Sequence, residues 1–138
     1  MKGANKQFVQ LIIMDPFRKD NIVLETKLYN EDCIVAMEKI DTNSIDLIIT
    51  DPPYNLGNFM RNRDTNLSKM RDNFFGSAGW DDMDFSEWEK SMDCFFEESA
   101  RVIKKGGSMI VFMAIIKVET IIRLAQKHGF YYKTTGIW

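Results

Sequence analysis

The chain has 138 residues, of which 45% are hydrophobic and 28% charged, with a formal net charge of −2. This composition is typical of one globular domain and excludes an intrinsically disordered chain. No apolar run reaches the roughly 20 residues that a membrane helix needs, and the cysteines and the histidine lack metal-ligand spacing. We therefore expect a cytoplasmic protein with no membrane partner and no metal site.

The first part of the chain predicts the start of an α/β fold. Residues 1–20 have no clean hydrophobic period and are interpreted as an N-terminal arm, whereas residues 21–138 are expected to form one domain. Residues 21–29 alternate in polarity and predict a strand, and residues 31–40 carry apolar side chains at helical intervals. Residues 45–50 form a short apolar run with β-branched residues, which is typical of a strand covered on both faces.

A long polar segment follows this strand, from about residue 55 to residue 80, and is rich in Asn, Gly, Arg and Ser. Connections beyond about 15 residues are usually functional or disordered. Basic residues outnumber acidic ones in this segment, whereas residues 81–98 are strongly acidic. The asymmetry is either ordinary solvated surface or the mark of a charged partner. The basic residues are Arg61, Arg63, Lys69 and Arg71.

The second part of the chain predicts further helices and strands. A helix begins near Asp84, where Asp84 with Glu87, or Ser86 with Glu89, could form a capping box. Its aromatic inner face continues to Ile103, and residues 104–107 (KKGG) are expected to end it. The remaining predicted elements are a strand at residues 108–113, a helix at 117–128 and a strand at 130–138. The alternation predicts an α/β sheet with parallel crossovers.

An acid, two prolines and a tyrosine follow the strand at residues 45–50 directly: Asp51, Pro52, Pro53 and Tyr54. Ligands of open parallel sheets bind beyond the carboxyl ends of the strands. The prolines keep the chain stiff and extended, and we expect their carbonyls to remain free acceptors. Tyr54 then presents a flat ring near a carboxylate.

Two acceptors and a stacking face suit a planar heterocycle that carries an exocyclic amine. The amine nitrogen is a poor nucleophile because its lone pair is conjugated into the ring. If Asp51 and a proline carbonyl each accept one N–H, the nitrogen can pyramidalise and direct its lone pair at an electrophile. The alternative interpretation is a structural turn; the position of the four residues, between a predicted buried strand and a long polar loop, favours a site.

Several motifs occur in order along the chain: NEDC, SIDLIITDPPYN, GWD, RVIKKGGSMIVF and GFYYKTTGIW. From about residue 29 to residue 138 the sequence resembles the DNA amino-methyltransferases that use S-adenosylmethionine. It is most similar to the permuted group in which DPPY precedes the glycine-rich cofactor motif. The resemblance implies a partial Rossmann-like class I methyltransferase sheet, with parallel strands and flanking helices.

By this resemblance Asp51, Pro52, Pro53 and Tyr54 form the catalytic pocket for a base flipped out of double-stranded DNA. Tyr54 would stack on the base and Asp51 would accept from its amine, while the methyl group passes directly from the sulfonium. An aspartate at the first motif position resembles the adenine-N6 enzymes of restriction-modification systems. The expected reaction is therefore methyl transfer to N6 of adenine.

The resemblance also implies binding residues outside the pocket. Asp32, Cys33 and Asp51 are expected beside the cofactor, although Asp32 equally suits a helix N-terminal acid. We expect Cys33, Cys94 and His128 to act in packing or at the surface rather than in chemistry. Basic side chains of the polar segment suit phosphate contacts, namely Arg61, Arg63, Lys69 and Arg71. Trp80 and Asp81 would shape the cleft, with Trp80 alternatively a core residue.

One departure from the family is large, because no Phe-x-Gly-x-Gly turn occurs in the chain. We therefore expect residues 21–138 to be the catalytic part of the domain, incomplete at its C-terminus and poor at binding S-adenosylmethionine. In the family's sheet, the missing strands separate those predicted at residues 21–29 and 45–50. A second polypeptide or self-association would fill the gap, or the first strand repacks, or the product is incomplete. The alternative function is an inactive remnant, or a DNA-binding or partner subunit of a split methyltransferase.

Overall fold

The computed structural model describes residues 9–11, 27–56 and 83–137, with only the backbone described at 9–11. The predictions at Arg61, Arg63, Lys69, Arg71, Trp80 and Asp81 lie outside the described residues. The strands are β1 (Val9–Leu11), β2 (Lys27–Tyr29), β3 (Ile45–Thr50) and β4 (Ile103–Val111). The helices are α1 (Cys33–Met37), α2 (Phe85–Val102) and α3 (Val118–Lys127), with a 3-10 turn at Ile115–Lys117.

The chain divides into two compact units. The first unit comprises Met1–Thr50 with Phe95–Val111, and the second comprises Asp51–Cys94 with Phe112–Trp138. Helix α2 thus contributes its N-terminal half to the second unit and its C-terminal half to the first.

The first unit contains a parallel pair of strands, β3 and β4. Ile48 lies opposite Met109 in regular register, and α2 lies in the connection between the two strands, as parallel pairing requires a crossover. This small parallel sheet with helices is compatible with the α/β methyltransferase fold that the sequence predicts. One face of the sheet departs from the prediction of a strand covered on both sides, since Ile48 is 8% exposed whereas Ile49 is 57% exposed.

Strands β1 and β2 form a separate, antiparallel pair in which Val9 lies opposite Tyr29. The predicted N-terminal arm thus contains a short strand at Val9–Leu11, and β2 pairs antiparallel rather than parallel; the division of the chain at residue 20 stays a prediction. Backbone N–H and C=O groups need partners, and hydrophobic periodicity does not specify which strand supplies them. Among the described residues β2 pairs with β1; repacking of the first strand, a second polypeptide or self-association, and an incomplete product all stay predictions.

Helix α1 is shorter than the predicted helix at residues 31–40, and Arg101 from the end of α2 anchors the chain that follows it. The Arg101 guanidinium donates to the carbonyl of Met37 at 2.7 Å and to that of Ile40 at 2.9 Å, and it also bonds Glu98. These bonds satisfy carbonyls that a helix end leaves without intrahelical partners. The Ser99 hydroxyl, fully buried, lies 3.9 Å from the sulfur of Met37.

Helix α2 confirms the predicted start and most of the predicted inner face, but Phe85, whose spacing predicts an inward position, is 45% exposed. The Asp84 carboxylate accepts from the backbone N–H of Ser86 at 2.8 Å and of Glu87 at 3.4 Å, as an N-cap does. The Ser86 hydroxyl also donates to this carboxylate at 2.7 Å, and this bond, followed by the backbone bonds from Ser86 and Glu87, holds the pKa of Asp84 below its usual value. The buried stripe consists of Trp88, Met92, Phe95, Phe96, Ser99 and Val102.

Two predictions in the last third of the chain are wrong. Helix α2 ends at Val102, and Gly106 and Gly107 lie inside β4 rather than at a helix end. Residues 130–137 form no strand, because β-forming residues such as Tyr and Thr do not by themselves supply a pairing edge. The helix predicted at residues 117–128 is confirmed as α3, with Gly129 at a positive φ of 89° directly beyond its C-cap. None of the described helices is long and apolar enough to cross a membrane.

Candidate active site

The four residues Asp51, Pro52, Pro53 and Tyr54 follow β3 directly and are here called the Asp51–Tyr54 corner. They belong to the second unit, together with the side chains that hold them. Asp51 is exposed, Pro52 is buried, and Pro53 and Tyr54 are half-buried. The carboxylate at the start of the corner is thus accessible from solvent.

Asp51 and Tyr54 are joined by a hydrogen bond, in which the Tyr54 hydroxyl donates to Oδ1 of Asp51 at 2.7 Å. Burial, followed by this bond and the charge of Asp51, raises the pKa of Tyr54 to about 12. The hydroxyl therefore stays protonated, and remains a donor, throughout the pH range in which enzymes work. No cation among the described residues is paired with Asp51, so its second oxygen remains open to a ligand.

The two proline carbonyls have different environments. The indole Nε1–H of Trp88 donates to the carbonyl of Pro53 at 2.8 Å. The prediction that the proline carbonyls stay free is therefore wrong for Pro53. No described residue donates to the carbonyl of Pro52, which remains an acceptor beside Asp51. The local sequence could not show this difference because the donor lies 35 residues further along the chain.

Asn55 holds the other side of the corner. Its backbone has a positive φ of 50°, which asparagine tolerates better than most residues. The side chain is 8% exposed, and its Oδ1 accepts from the backbone N–H of Met83 at 3.0 Å. Sequence reasoning missed both Asn55 and Trp88; the available signal was that a buried indole or amide must find a hydrogen-bonding partner.

A positive charge lies against the aromatic side chains near the start of α2. The Lys117 ammonium is 4.5 Å from the ring centroid of Phe85 and 4.8 Å from that of Trp88. The two rings are 5.7 Å apart. Cation–π attraction of this kind favours one orientation of the indole of Trp88, a residue that is only 1% exposed.

The expected cofactor residues lie partly in the first unit. Asp32 caps α1, since its Oδ1 accepts from the backbone N–H of Ile34 at 2.9 Å, which agrees with the structural interpretation. Asp32 is exposed, so its other oxygen can accept from a ligand hydroxyl. Burial, followed by the charge of Asp32, raises the pKa of Cys33 to about 11. The described residues contain no group of His, Cys, Asp and Glu that could hold a metal ion.

Comparisons with known proteins agree with the sequence resemblance. The model of a family of DNA methylases, the N6/N4 methyltransferases, matches residues 45–138. Among curated proteins, the type II methyltransferase M.HpaI of Haemophilus parainfluenzae is 31% identical over 116 residues, covering 83% of this chain and 32% of that enzyme. M.HinfI of Haemophilus influenzae is 32% identical over 109 residues, covering 78% of this chain and 29% of that enzyme.

M.HindIII, also of Haemophilus influenzae, is 27% identical over 131 residues, covering 80% of this chain and 42% of that enzyme. The chain therefore spans less than half the length of these relatives. The matched region starts at β3 and includes the whole Asp51–Tyr54 corner. With a family match over more than half of its residues, the chain belongs to the N6/N4 methyltransferase family of DNA methylases.

Proposed function

We propose that the chain carries the base-accepting site of a DNA methyltransferase that transfers a methyl group from S-adenosylmethionine to N6 of a flipped adenine. The observation that supports this most directly is the pairing of free acceptors at the corner. The Asp51 carboxylate is exposed and bonded to the Tyr54 hydroxyl, and the Pro52 carbonyl receives no bond from the described residues, while the Pro53 carbonyl is occupied by Trp88. The relatives are type II methyltransferases, which agrees with the reaction class.

The corner suits an exocyclic amine because an –NH₂ group has two hydrogens and the corner has two acceptors, one Asp51 oxygen and the Pro52 carbonyl, that no described residue occupies. With one N–H bonded to Asp51 and the other to the Pro52 carbonyl, the nitrogen loses conjugation with its ring and its lone pair projects outward. This arrangement stabilises the positive charge that develops on nitrogen more than it stabilises the flat ground state. The residues thus lower the barrier by charge stabilisation, without covalent attachment of the base.

Tyr54 has two roles in this proposal. Its ring stacks on the flipped base, which replaces part of the stacking lost when the base leaves the duplex. Its hydroxyl holds Oδ1 of Asp51 and, with a pKa of about 12, keeps that bond at neutral pH. One oxygen of Asp51 is therefore fixed by the protein and the other is presented to the substrate.

Adenine is proposed over cytosine because the first motif residue is an aspartate, as in the adenine-N6 enzymes that the sequence resembles. Both bases carry an exocyclic amine, so the corner geometry is compatible with either. Contacts with DNA phosphates remain part of the proposal for the basic residues of the polar segment, Arg61, Arg63, Lys69 and Arg71.

The chain's own residues fit the methyl donor in part. The open carboxylate oxygen of Asp32 is of the type that accepts from ribose hydroxyls, and the neutral thiol of Cys33 suits an uncharged packing contact. When bound, S-adenosylmethionine supplies an electrophilic methyl group, so that an N–C bond forms as the S–C bond breaks and a proton is released.

A product analysis tests this function. The purified chain is incubated with adenine-unmethylated bacterial DNA and millimolar S-adenosylmethionine carrying a tritiated methyl group, and the DNA is digested to nucleosides. We expect N6-methyladenine as the labelled nucleoside. Asp51→Ala should lower the rate by roughly 100-fold or more, because it removes an acceptor that acts on developing charge.

Asp46→Ala is the matched control, since Asp46 is an exposed acid on β3 whose side chain pairs with Lys104 at 2.8 Å. Exposed ion pairs contribute little, so this variant should keep its rate within about twofold. If the labelled nucleoside is N4-methylcytosine, the substrate is cytosine rather than adenine. Equal rates for the wild-type chain and Asp51→Ala would refute the site.

A further inference from the structure

The Asp51–Tyr54 corner has few backbone donors that could hold it in place. Pro52 and Pro53 have no backbone N–H, so this part of the chain cannot be fixed by donating hydrogen bonds. It must be held through its carbonyls or through side chains. Only one of the two proline carbonyls can be used for anchoring if the other is to receive a substrate amine.

Trp88 supplies the anchor. Trp88 is 1% exposed, and the only polar atom of its side chain, Nε1, donates to the carbonyl of Pro53 at 2.8 Å. A buried indole N–H that lost this acceptor would be left unsatisfied, so the bond fixes both partners. The carbonyl of Pro52, one residue earlier, receives no bond from the described residues.

Two side chains lie beside the indole of Trp88. Lys117 and Phe85 both lie against the ring, at 4.8 Å and 5.7 Å from its centroid. One residue beyond Tyr54, Asn55 bonds the backbone N–H of Met83, just before α2. The corner is therefore tied to the start of α2 on both sides of Tyr54, while Tyr54 itself bonds only Asp51 among the side chains described.

We propose that Trp88 is a positioning residue of the methyl-transfer site: its indole N–H occupies the Pro53 carbonyl and so keeps the Pro52 carbonyl and Asp51 directed at the substrate amine. Trp88 touches neither base nor methyl donor in this proposal and acts through the corner. The inference rests on the function proposed above, because Trp88 holds the corner in the position in which it would bind the substrate amine.

The test uses nuclear magnetic resonance of the full chain, labelled with ¹³C at the Tyr Cζ and with ¹⁵N at the Trp indole. Tyr54→Phe and Trp88→Phe identify the two resonances of interest. In the wild-type chain, the Trp88 indole proton should exchange with solvent at least about 10-fold more slowly than that of free indole. An indole proton that exchanges as fast as free indole would overturn the proposal.

The decisive variant replaces Trp88 by β-(3-benzothienyl)alanine, in which sulfur takes the place of the N–H while the ring size is kept. We expect the Tyr54 resonance to shift, because the Tyr54–Asp51 bond depends on the anchored corner. In methyl-transfer assays kcat should fall roughly 10- to 100-fold through misplacement of the acceptors, with KM for DNA unchanged within about twofold. The melting temperature is measured in parallel, and Trp88→Phe serves as a second variant without the N–H.

Phe85→Leu is the matched control. It removes a ring that packs on the indole but leaves the N–H in place, so the Tyr54 resonance and kcat should stay within about twofold of the wild-type values. An unchanged Tyr54 resonance in both Trp88 variants would overturn the proposal. An equal shift in Phe85→Leu would also overturn it, because ring packing would then hold the corner.

The resonance measurements need neither DNA nor methyl donor, so the two proposals fail separately. If the chain shows no methyl transfer that depends on Asp51, the proposed function is contradicted, but the role of Trp88 in holding the corner is not. Whether or not the chain transfers a methyl group, the Tyr54 and Trp88 resonances show whether the indole holds the corner.

Discussion

At the scale of single residues, Cys33 shows how burial and a neighbouring charge act in the same direction. Both raise its pKa, burial more than Asp32, from the ordinary 9.0 to about 11. The thiolate is the reactive form of cysteine, so at pH 8 Cys33 should hold about 100-fold less of it than an unperturbed thiol. We therefore expect Cys33 to react very slowly with a disulfide reagent such as 5,5′-dithiobis(2-nitrobenzoate).

Cys94 provides the internal comparison because it is exposed on α2. In the wild-type chain one thiol, that of Cys94, should react rapidly and the other very slowly. Cys94→Ser should abolish the rapid phase, whereas Cys33→Ser should leave it intact. Rapid reaction of Cys33 would show that its thiol is accessible and ionised, contrary to the structure.

The sequence predicted the residues of the candidate site better than their partners. Asp51 and Tyr54 were identified because an acid and an aromatic residue bracket two prolines after a strand. The bond from Trp88 to Pro53 and the bond from Met83 to Asn55 could not be predicted, since each joins positions about 30 residues apart. Local sequence states which groups need partners; the tertiary fold decides which groups meet.

At the scale of elements, β4 contains an irregularity that two glycines make possible. Ile45 pairs with Ile103, but Leu47 pairs with Ser108, so β4 has extra residues between these pairs. Gly106 has a positive φ of 84° and open space around its Cα. A Cβ on Gly107 would lie 2.7 Å from Cγ1 of Ile103 and 3.1 Å from the carbonyl oxygen of Asp46.

The two glycines should therefore respond differently to substitution. Gly107→Ala should lower the free energy of unfolding by about 1–3 kcal/mol, because backbone atoms must move to admit the methyl group. Gly106→Asn should cost less than about 1 kcal/mol, since asparagine tolerates the left-handed conformation. Urea unfolding of both variants measures the difference.

Gly106→Ala completes the comparison, because alanine fits the open space but not the conformation, and it should cost about 1 kcal/mol. Equal costs for Gly107→Ala and Gly106→Asn would mean that β3 and β4 are not paired in the register described.

Elements with a clear period were predictable, and elements defined by pairing were not. Helices α2 and α3 follow from apolar side chains at intervals of three and four, and β3 follows from its β-branched run. The pairing of β1 with β2 and the absence of a strand at residues 130–137 depend on available strand edges, which periodicity does not encode. The glycines of β4 were mistaken for a helix end because basic residues precede them, as they often do there.

At the scale of the whole molecule, family membership does not by itself imply tight binding of the cofactor. The family match covers residues 45–138, and the chain spans less than half the length of its relatives. The residues at hand supply acceptors for an amine and, at Asp32, for a hydroxyl. What the 138 residues lack is the Phe-x-Gly-x-Gly turn, in which glycine lets backbone amides approach the cofactor closely.

We therefore expect this chain to bind S-adenosylmethionine weakly, with no saturable heat at micromolar concentrations in a calorimetric titration. A single carboxylate such as Asp32 contributes too few contacts to reach the roughly −8 kcal/mol that a micromolar Kd represents. A titration showing a micromolar Kd would contradict this expectation. Repeating it with Asp32→Asn would then show whether the capping carboxylate takes part, because asparagine keeps the cap on α1 but removes the charge.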